Sequence, residues 1–150
     1  MDNELDDLYQ EIILDHNRRP RNEGELDPST HRAEGFNPLC GDKLTVSVRN
    51  AGEAIDAIAC DCQGCAISRA SSSIMTTMVS GKKLPEVQQI ISETLELLTG
   101  DEEPEVDLER HGDLAALVGV RKFPARIKCA TLAWHALEAA LQGDEQASTE

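Results

Sequence analysis

Cys40-Gly41-Asp42 sets a thiol and a carboxylate two positions apart; Cys65 follows after 22 intervening residues and Cys129 after 63 more. Three thiolates and one carboxylate complete a tetrahedral shell for a zinc-like ion, and the Cys-x-Asp spacing lets one turn supply two of the four donors. Asp42 would be the hardest and most exchangeable ligand of such a shell. The long gaps carry little information of their own, and on spacing alone the same residues also read as free cysteines buried in an apolar core. What separates the two readings is the set of elements that must hold each residue in place.

Leu5, Leu8, Tyr9, Ile12 and Ile13 recur at helical spacing and predict an amphipathic helix over about residues 4–16. The stretch from Arg18 to Pro38, punctuated by Pro20, Gly24 and Asp27-Pro28, reads as an irregular, mobile connection into the Cys40 turn. Leu44, Val46 and Val48 then alternate with Lys43, Thr45, Ser47 and Arg49. Asn50-Ala51-Gly52 turns the chain, and residues 55–62 resume an extended pattern, so an antiparallel hairpin is expected. Its second strand runs into Gln63-Gly64-Cys65, after which Ile67, Ala70, Ile74 and Met78 mark a helix ending near Gly81. Cys65 therefore belongs at a strand-to-helix junction, where the amide dipoles of the helix end favour an anionic sulfur.

Pro85 opens a helix with Val87, Ile90, Ile91, Leu95 and Leu98 on one face, and Gly100 is placed to close it. The acidic run from Asp101 to Glu105 reads as a solvated loop, and a short helical piece holds Leu114, Leu117 and Val118. Pro124 starts the last helix, which carries Cys129 in its second turn and aligns Ile127, Ala130, Thr131, Trp134, Leu137 and Leu141. Residues 143–150 lack apolar periodicity and read as a frayed, disordered tail behind a single domain over residues 1–142. Strands early and helices late give an α+β class, a small antiparallel sheet covered on one face by helices.

Composition closes off other functions. The chain carries 14 Lys plus Arg against 28 Asp plus Glu, a formal charge of -14 that repels a phosphate backbone, so nucleic acid is not an expected ligand. Only four aromatic residues, Tyr9, Phe36, Phe123 and Trp134, leave no stacking platform for single strands. No apolar run is long enough to cross a bilayer, and the acidic start is unlike a secretory signal, so a cytoplasmic protein without a membrane partner is expected. Five cysteines in a reducing compartment favour metal or thiol chemistry over a disulfide framework.

The segments NPLCGD (37–42), QGCAISRASSSIMT (63–76) and GVRKFPARIKCATLAWHALEAAL (119–141), with YQEIILDHNRRPRNEG (9–24) before them, resemble the iron–sulfur assembly family that includes IscU and the N-terminal part of NifU. They are most similar to its SufU branch. The resemblance implies an IscU-like fold and a metal site at Cys40, Asp42, Cys65 and Cys129. It further implies a zinc protein in which Cys40 takes persulfide sulfur from a pyridoxal-phosphate cysteine desulfurase of the SufS type and feeds downstream Suf assembly proteins. The alternative within the family is a scaffold that holds a [2Fe–2S] cluster on the same residues.

Two departures from the IscU-like pattern point to the SufU branch: a longer segment between Cys65 and Cys129, with the extra residues around 100–118, and Lys128 where those scaffolds carry a histidine. A lysine amine of pKa about 10.4 stays protonated at neutral pH and is a poor ligand, which biases the site toward three cysteines and one aspartate. Lys128 and Arg126 read equally as surface cations or as participants in sulfur transfer. Cys60 and Cys62 stand where the family usually has an apolar residue and a glycine. Cys62-Gln63-Gly64-Cys65 formally makes a CxxC that could exchange sulfur or compete for metal, but Cys60 and Cys62 read first as small side chains filling a strand. His16, His31, His111 and His135 are expected at the surface rather than on a metal, with His16 the best placed to face a partner.

Overall fold

The computed structural model describes residues 3–101 and 108–148. Helix α1 (Asn3–Arg18) leads into three strands, β1 (His31–Asn37), β2 (Asp42–Ala51) and β3 (Ala54–Gln63). Helices α2 (Ala66–Val79), α3 (Leu84–Thr99) and α4 (Leu108–His111), a 3₁₀ segment (Gly112–Lys122), α5 (Pro124–Leu141) and a last strand β4 (Gln146–Ser148) complete the order. The class is α+β, as the sequence indicates.

The expected hairpin is β2–β3, with Val46 opposite Cys60 and Leu44 opposite Cys62, and its turn uses Gly52 at a φ of +64°. Two strands are additional. β1 pairs antiparallel with β2 from His31–Val48 to Asn37–Asp42, where an irregular connection was expected. β4 pairs parallel with β1 through residues 146–148, so a strand replaces part of the expected frayed tail and the four-stranded sheet, ordered β3-β2-β1-β4, is mixed rather than purely antiparallel. The preceding stretch is also hydrogen-bonded rather than loose. Cys60 N–H donates to Asn22 O at 3.0 Å, Gly24 N–H to Cys60 O at 3.2 Å and Thr30 N–H to Val48 O at 2.8 Å, so residues 22–24 cover part of the β3 edge.

Helix α5 lies across β1 and β2 and packs on α2 and α3, while α2 packs on β3 and carries α1 on its other side. The buried face of α5 contributes Leu132, Trp134 and Leu137 to a core completed by Leu44, Val46, Ile55, Ile74, Ile91 and Leu98. Helix α2 buries five hydroxyl side chains, Ser68, Ser71, Ser72, Ser73 and Thr76, each at a hydrogen-bonding position that offsets its burial. Ser71 Oγ donates to Ala130 O and accepts from Trp134 Nε1–H at 3.2 Å, joining α2 to α5. The acidic run beyond Asp101 lies outside the described residues, and among those described no helix is long and apolar enough to cross a membrane.

Candidate metal centre

The β1–β2 connection is the four-residue turn 38–41 between the paired residues Asn37 and Asp42. Gly41 adopts a φ of +75°, which an L side chain would resist, and its N–H donates to Asn37 O at 2.8 Å. That closure puts Cys40 at an exposed tip and turns Asp42 inward, where it is 1% exposed. Cys129 reaches the same place from α5, buried at 2% exposure. One ligand atom each from Cys40, Asp42 and Cys129 lie within 4.8 Å of one another, so residues 89 positions apart in sequence (129 less 40) meet where α5 crosses the sheet.

Cys65 arrives differently. It is the N-cap of α2, with its sulfur accepting from Ser68 N–H at 3.5 Å, and its own N–H donates to Asp42 Oδ1 at 2.9 Å. The strand-to-helix junction expected for it is therefore present, while its ligand atom stands outside the 4.8 Å group formed by the other three. Burial pushes the Cys129 thiol well above the usual cysteine range, and the neighbouring Asp42, Cys40 and Cys65 side chains push it further the same way. Four acidic groups crowd one another there. A divalent cation reverses that penalty, because the same crowding then stabilises the charge it opposes, so the donor set fits a thiophilic metal such as zinc.

Two residues that the sequence reasoning left without a role shape this pocket. Asn37 is fully buried, and its Nδ2 donates to Asp42 Oδ2 at 3.2 Å and to Cys129 Sγ at 3.5 Å, tying the carboxylate to the thiol. Its position in the NPLCGD segment was the available signal. Gly64 packs so closely that a Cβ there would lie 2.4 Å from Asp42 Oδ1. Only glycine lets the carboxylate sit under the Cys65 amide.

The remaining residues singled out from sequence fall into two groups. Lys128 and Arg126 are exposed, and the Arg126 guanidinium lies 4.9 Å from the Phe123 ring centroid. Cys60 and Cys62 both face α2, with Cys62 Sγ 3.4 Å from Ser68 Oγ. His16 corrects the expectation of a partner-facing side chain. It is 2% exposed, with Nδ1 2.7 Å from Ser73 Oγ and Nε2 2.6 Å from Asp113 Oδ2, so it locks α1 to α2 and to the 3₁₀ segment.

The sequence profile of the NifU-like N terminal domain family matches residues 8–130. The chain is 39% identical over 142 residues to the zinc-dependent sulfurtransferase SufU of Bacillus subtilis, covering 94% of each protein. It is 40% identical over 138 residues to the iron-sulfur cluster assembly scaffold protein IscU of Streptococcus pyogenes, covering 92% of this chain and 85% of that one. The N-terminal part of a NifU-like protein from Brucella abortus superposes with a TM-score of 0.79 at 25% identity, over 93% of this chain and 95% of the other.

Proposed function

The chain belongs to the NifU-like N terminal domain family, and from that premise we propose that it serves iron–sulfur cluster assembly as a zinc-dependent sulfur acceptor. The observation that carries this reading is the pairing of an exposed Cys40 with the buried Asp42 and Cys129, all within 4.8 Å. Cys40, Asp42, Cys65 and Cys129 are the ligand set, and a zinc ion bound there would act as a Lewis acid that favours the thiolate form of its cysteines. The name of the Bacillus relative supports the zinc assignment.

Each residue has a separable task. Cys40, on a turn tip that a protein donor can reach, attacks the outer sulfur of a persulfide; the donor S–S bond breaks, the donor leaves as a thiolate, and a new S–S bond forms on Cys40. Asp42 is anchored by the Cys65 amide and by Asn37, so it holds its place while Cys40 reacts. Leu39, 62% exposed beside Cys40, and Phe36, 47% exposed beside Asn37, present the apolar surface that a docking protein covers. A pyridoxal-phosphate cysteine desulfurase of the SufS type is the donor, and downstream Suf assembly proteins receive the sulfur. A second reading, a scaffold for a [2Fe–2S] cluster on the same four residues, is favoured by the Streptococcus relative.

Metal analysis and mass spectrometry separate the two. Protein purified without oxygen should be colourless with one zinc per chain, and incubation with desulfurase and cysteine should add ~32 Da to Cys40, the mass of one sulfur. Cys40→Ala should abolish that acceptance, whereas Asp42→Ala should weaken metal binding and leave the acceptor thiol in place. Stoichiometric iron with visible charge-transfer bands would replace the sulfur-acceptor reading with the scaffold, and normal acceptance from the desulfurase by Cys40→Ala would remove Cys40 from the acceptor role.

A further inference from the structure

Between β3 and α2 lies a cavity of about 10 Å³, room for one water-sized group. Glu23, Cys60, Cys62, Arg69, Ser72 and Ser73 are among the residues that line it. Its polar complement is incomplete. Arg69 Nη2 reaches Asn17 O at 3.4 Å and Glu23 Oε2 at 4.0 Å, while Arg69 Nε is buried with no hydrogen-bond partner. The Arg69 side chain is 36% exposed, but its Nε–H is shut away from solvent without an acceptor, so an occupant of the cavity that accepts a hydrogen bond and tolerates two sulfur neighbours would complete it.

We propose that Cys62 is a second carrier of sulfane sulfur, whose persulfide places its outer sulfur in this cavity against Arg69 Nε. The two thiols lining the cavity are not equivalent. Cys60 is 5% exposed and burial pushes its thiol up to about 12, which keeps it protonated and unreactive. Cys62 is only partly buried; burial and the Asp42 charge push its thiol up as well, and the hydroxyls of Ser68 and Ser72 and the charge of Arg69 offset this only in part. Sulfur arrives from a persulfide or polysulfide donor. The Cys62 sulfur attacks the donor's outer sulfur, the donor S–S bond breaks, and the donor leaves as a thiol carrying the Cys62 proton. One S–S bond is exchanged for another, with nothing oxidised or reduced overall. The assignment rests on the sulfur-acceptor reading only where Cys40 is that donor.

The test treats the zinc-loaded full chain with inorganic polysulfide, traps it with an alkylating reagent and locates added sulfur by peptide mass mapping. A ~32 Da increment is expected on Cys62 and none on Cys60. Arg69→Met should cut the Cys62 increment at least fivefold and leave that on Cys40 unchanged. Should Arg69→Met fail to fold, Arg69→Lys, which keeps the charge and loses the Nε–H donor, reads out the same dependence. The Cys40→Ala variant tells the sources apart: sulfur that still reaches Cys62 came from solution, and sulfur that no longer does came through Cys40. Sulfur on Cys40 with none on Cys62 would overturn this proposal, reduce the cavity to a water site and leave the sulfur-acceptor reading standing. Sulfur on Cys62 with none on Cys40 would do the reverse. An Arg69→Met or Arg69→Lys variant labelled like the wild type would also overturn it.

Discussion

Replacing Gly64 by alanine probes the candidate metal centre without touching any of its proposed donors. The added methyl group would sit 2.4 Å from Asp42 Oδ1, 3.0 Å from its Cγ and 3.1 Å from its Cβ, all well inside ordinary contact. Asp42 cannot yield cheaply, because it is 1% exposed and held by the Cys65 amide at 2.9 Å and Asn37 Nδ2 at 3.2 Å. Overpacking a well-filled site costs about 1–3 kcal/mol. A displaced carboxylate also forfeits a hydrogen bond to a charged group, worth about 1.5–3 kcal/mol, although relief of the clash and loss of the bond overlap. The combined cost is then about 2–4 kcal/mol. For a chain of 150 residues that lowers the melting temperature by roughly 4–16 °C.

Metal affinity should fall as well, by about tenfold to a hundredfold, the usual consequence of disturbing a residue that orients a ligand. Thermal melts of the metal-free and zinc-loaded variant measure the first effect, and competition against a chromophoric chelator measures the second. Gly119→Ala is the control, since a Cβ there meets nothing within 4 Å and the substitution should be nearly neutral. A Gly64→Ala protein that melts within about 2 °C of the wild type and holds zinc equally well would refute the claim that Asp42 is fixed by that close approach.

Removing zinc should lower the melting temperature by many degrees, because the proposed ligands tie the β1–β2 turn to α2 and α5; an unchanged melt after verified removal would make the site peripheral. In metal-free protein, stability should decline on the alkaline side. The Cys60 thiol is held at about 12 against an ordinary 9.0, so its contribution is whole below the unfolded value and is lost as pH rises through the folded one. The slope approaches about 1.4 kcal/mol per pH unit between those values; urea unfolding across that window should be flatter for Cys60→Val, and equal slopes would contradict a buried, protonated thiol. His16→Ala breaks one buried and one part-buried hydrogen bond and should cost about 3 kcal/mol, or roughly 6–12 °C, at unchanged zinc content. A variant that melts normally but loses desulfurase stimulation would restore His16 to the partner-facing role.

What could be read from the chain depended on how strongly each element needed its own hydrophobic pattern. The helices carrying Leu95, Leu98, Trp134 and Leu137 are legible because each buries large apolar side chains at helical spacing. β1 is not, since the residues it turns inward are Ala33, Gly35 and Asn37, which show no run of Val or Ile. The reason is the closeness of α5. A Cβ on Gly35 would stand 3.1 Å from Leu44 Cδ1, 3.2 Å from Leu132 Cδ1 and 3.3 Å from Ala136 Cβ, so large side chains have no room there. β4 is hidden for a related reason, with Ala147 alone packed against the core.

The same close crossing of α5 over β1 is what brings the candidate ligands together. Small residues on β1 let the helix approach, and Asn37 at the strand's end then lies within reach of both Cys129 on the helix and Asp42 on the next strand. The candidate donors were legible in the sequence, as was Cys65 at a helix start, because turn and cap chemistry are local. The sequence could not supply the convergence, which depends on a separation of 92 residues between Asn37 and Cys129 closed by packing alone. His16 was misread on the same ground, for a polar side chain beside two arginines looks solvated until Ser73 and Asp113 are brought to it from 57 and 97 residues away. Long-range polar pairing leaves no periodic trace in a chain, so the residues that complete a site from a distance are the ones a sequence conceals.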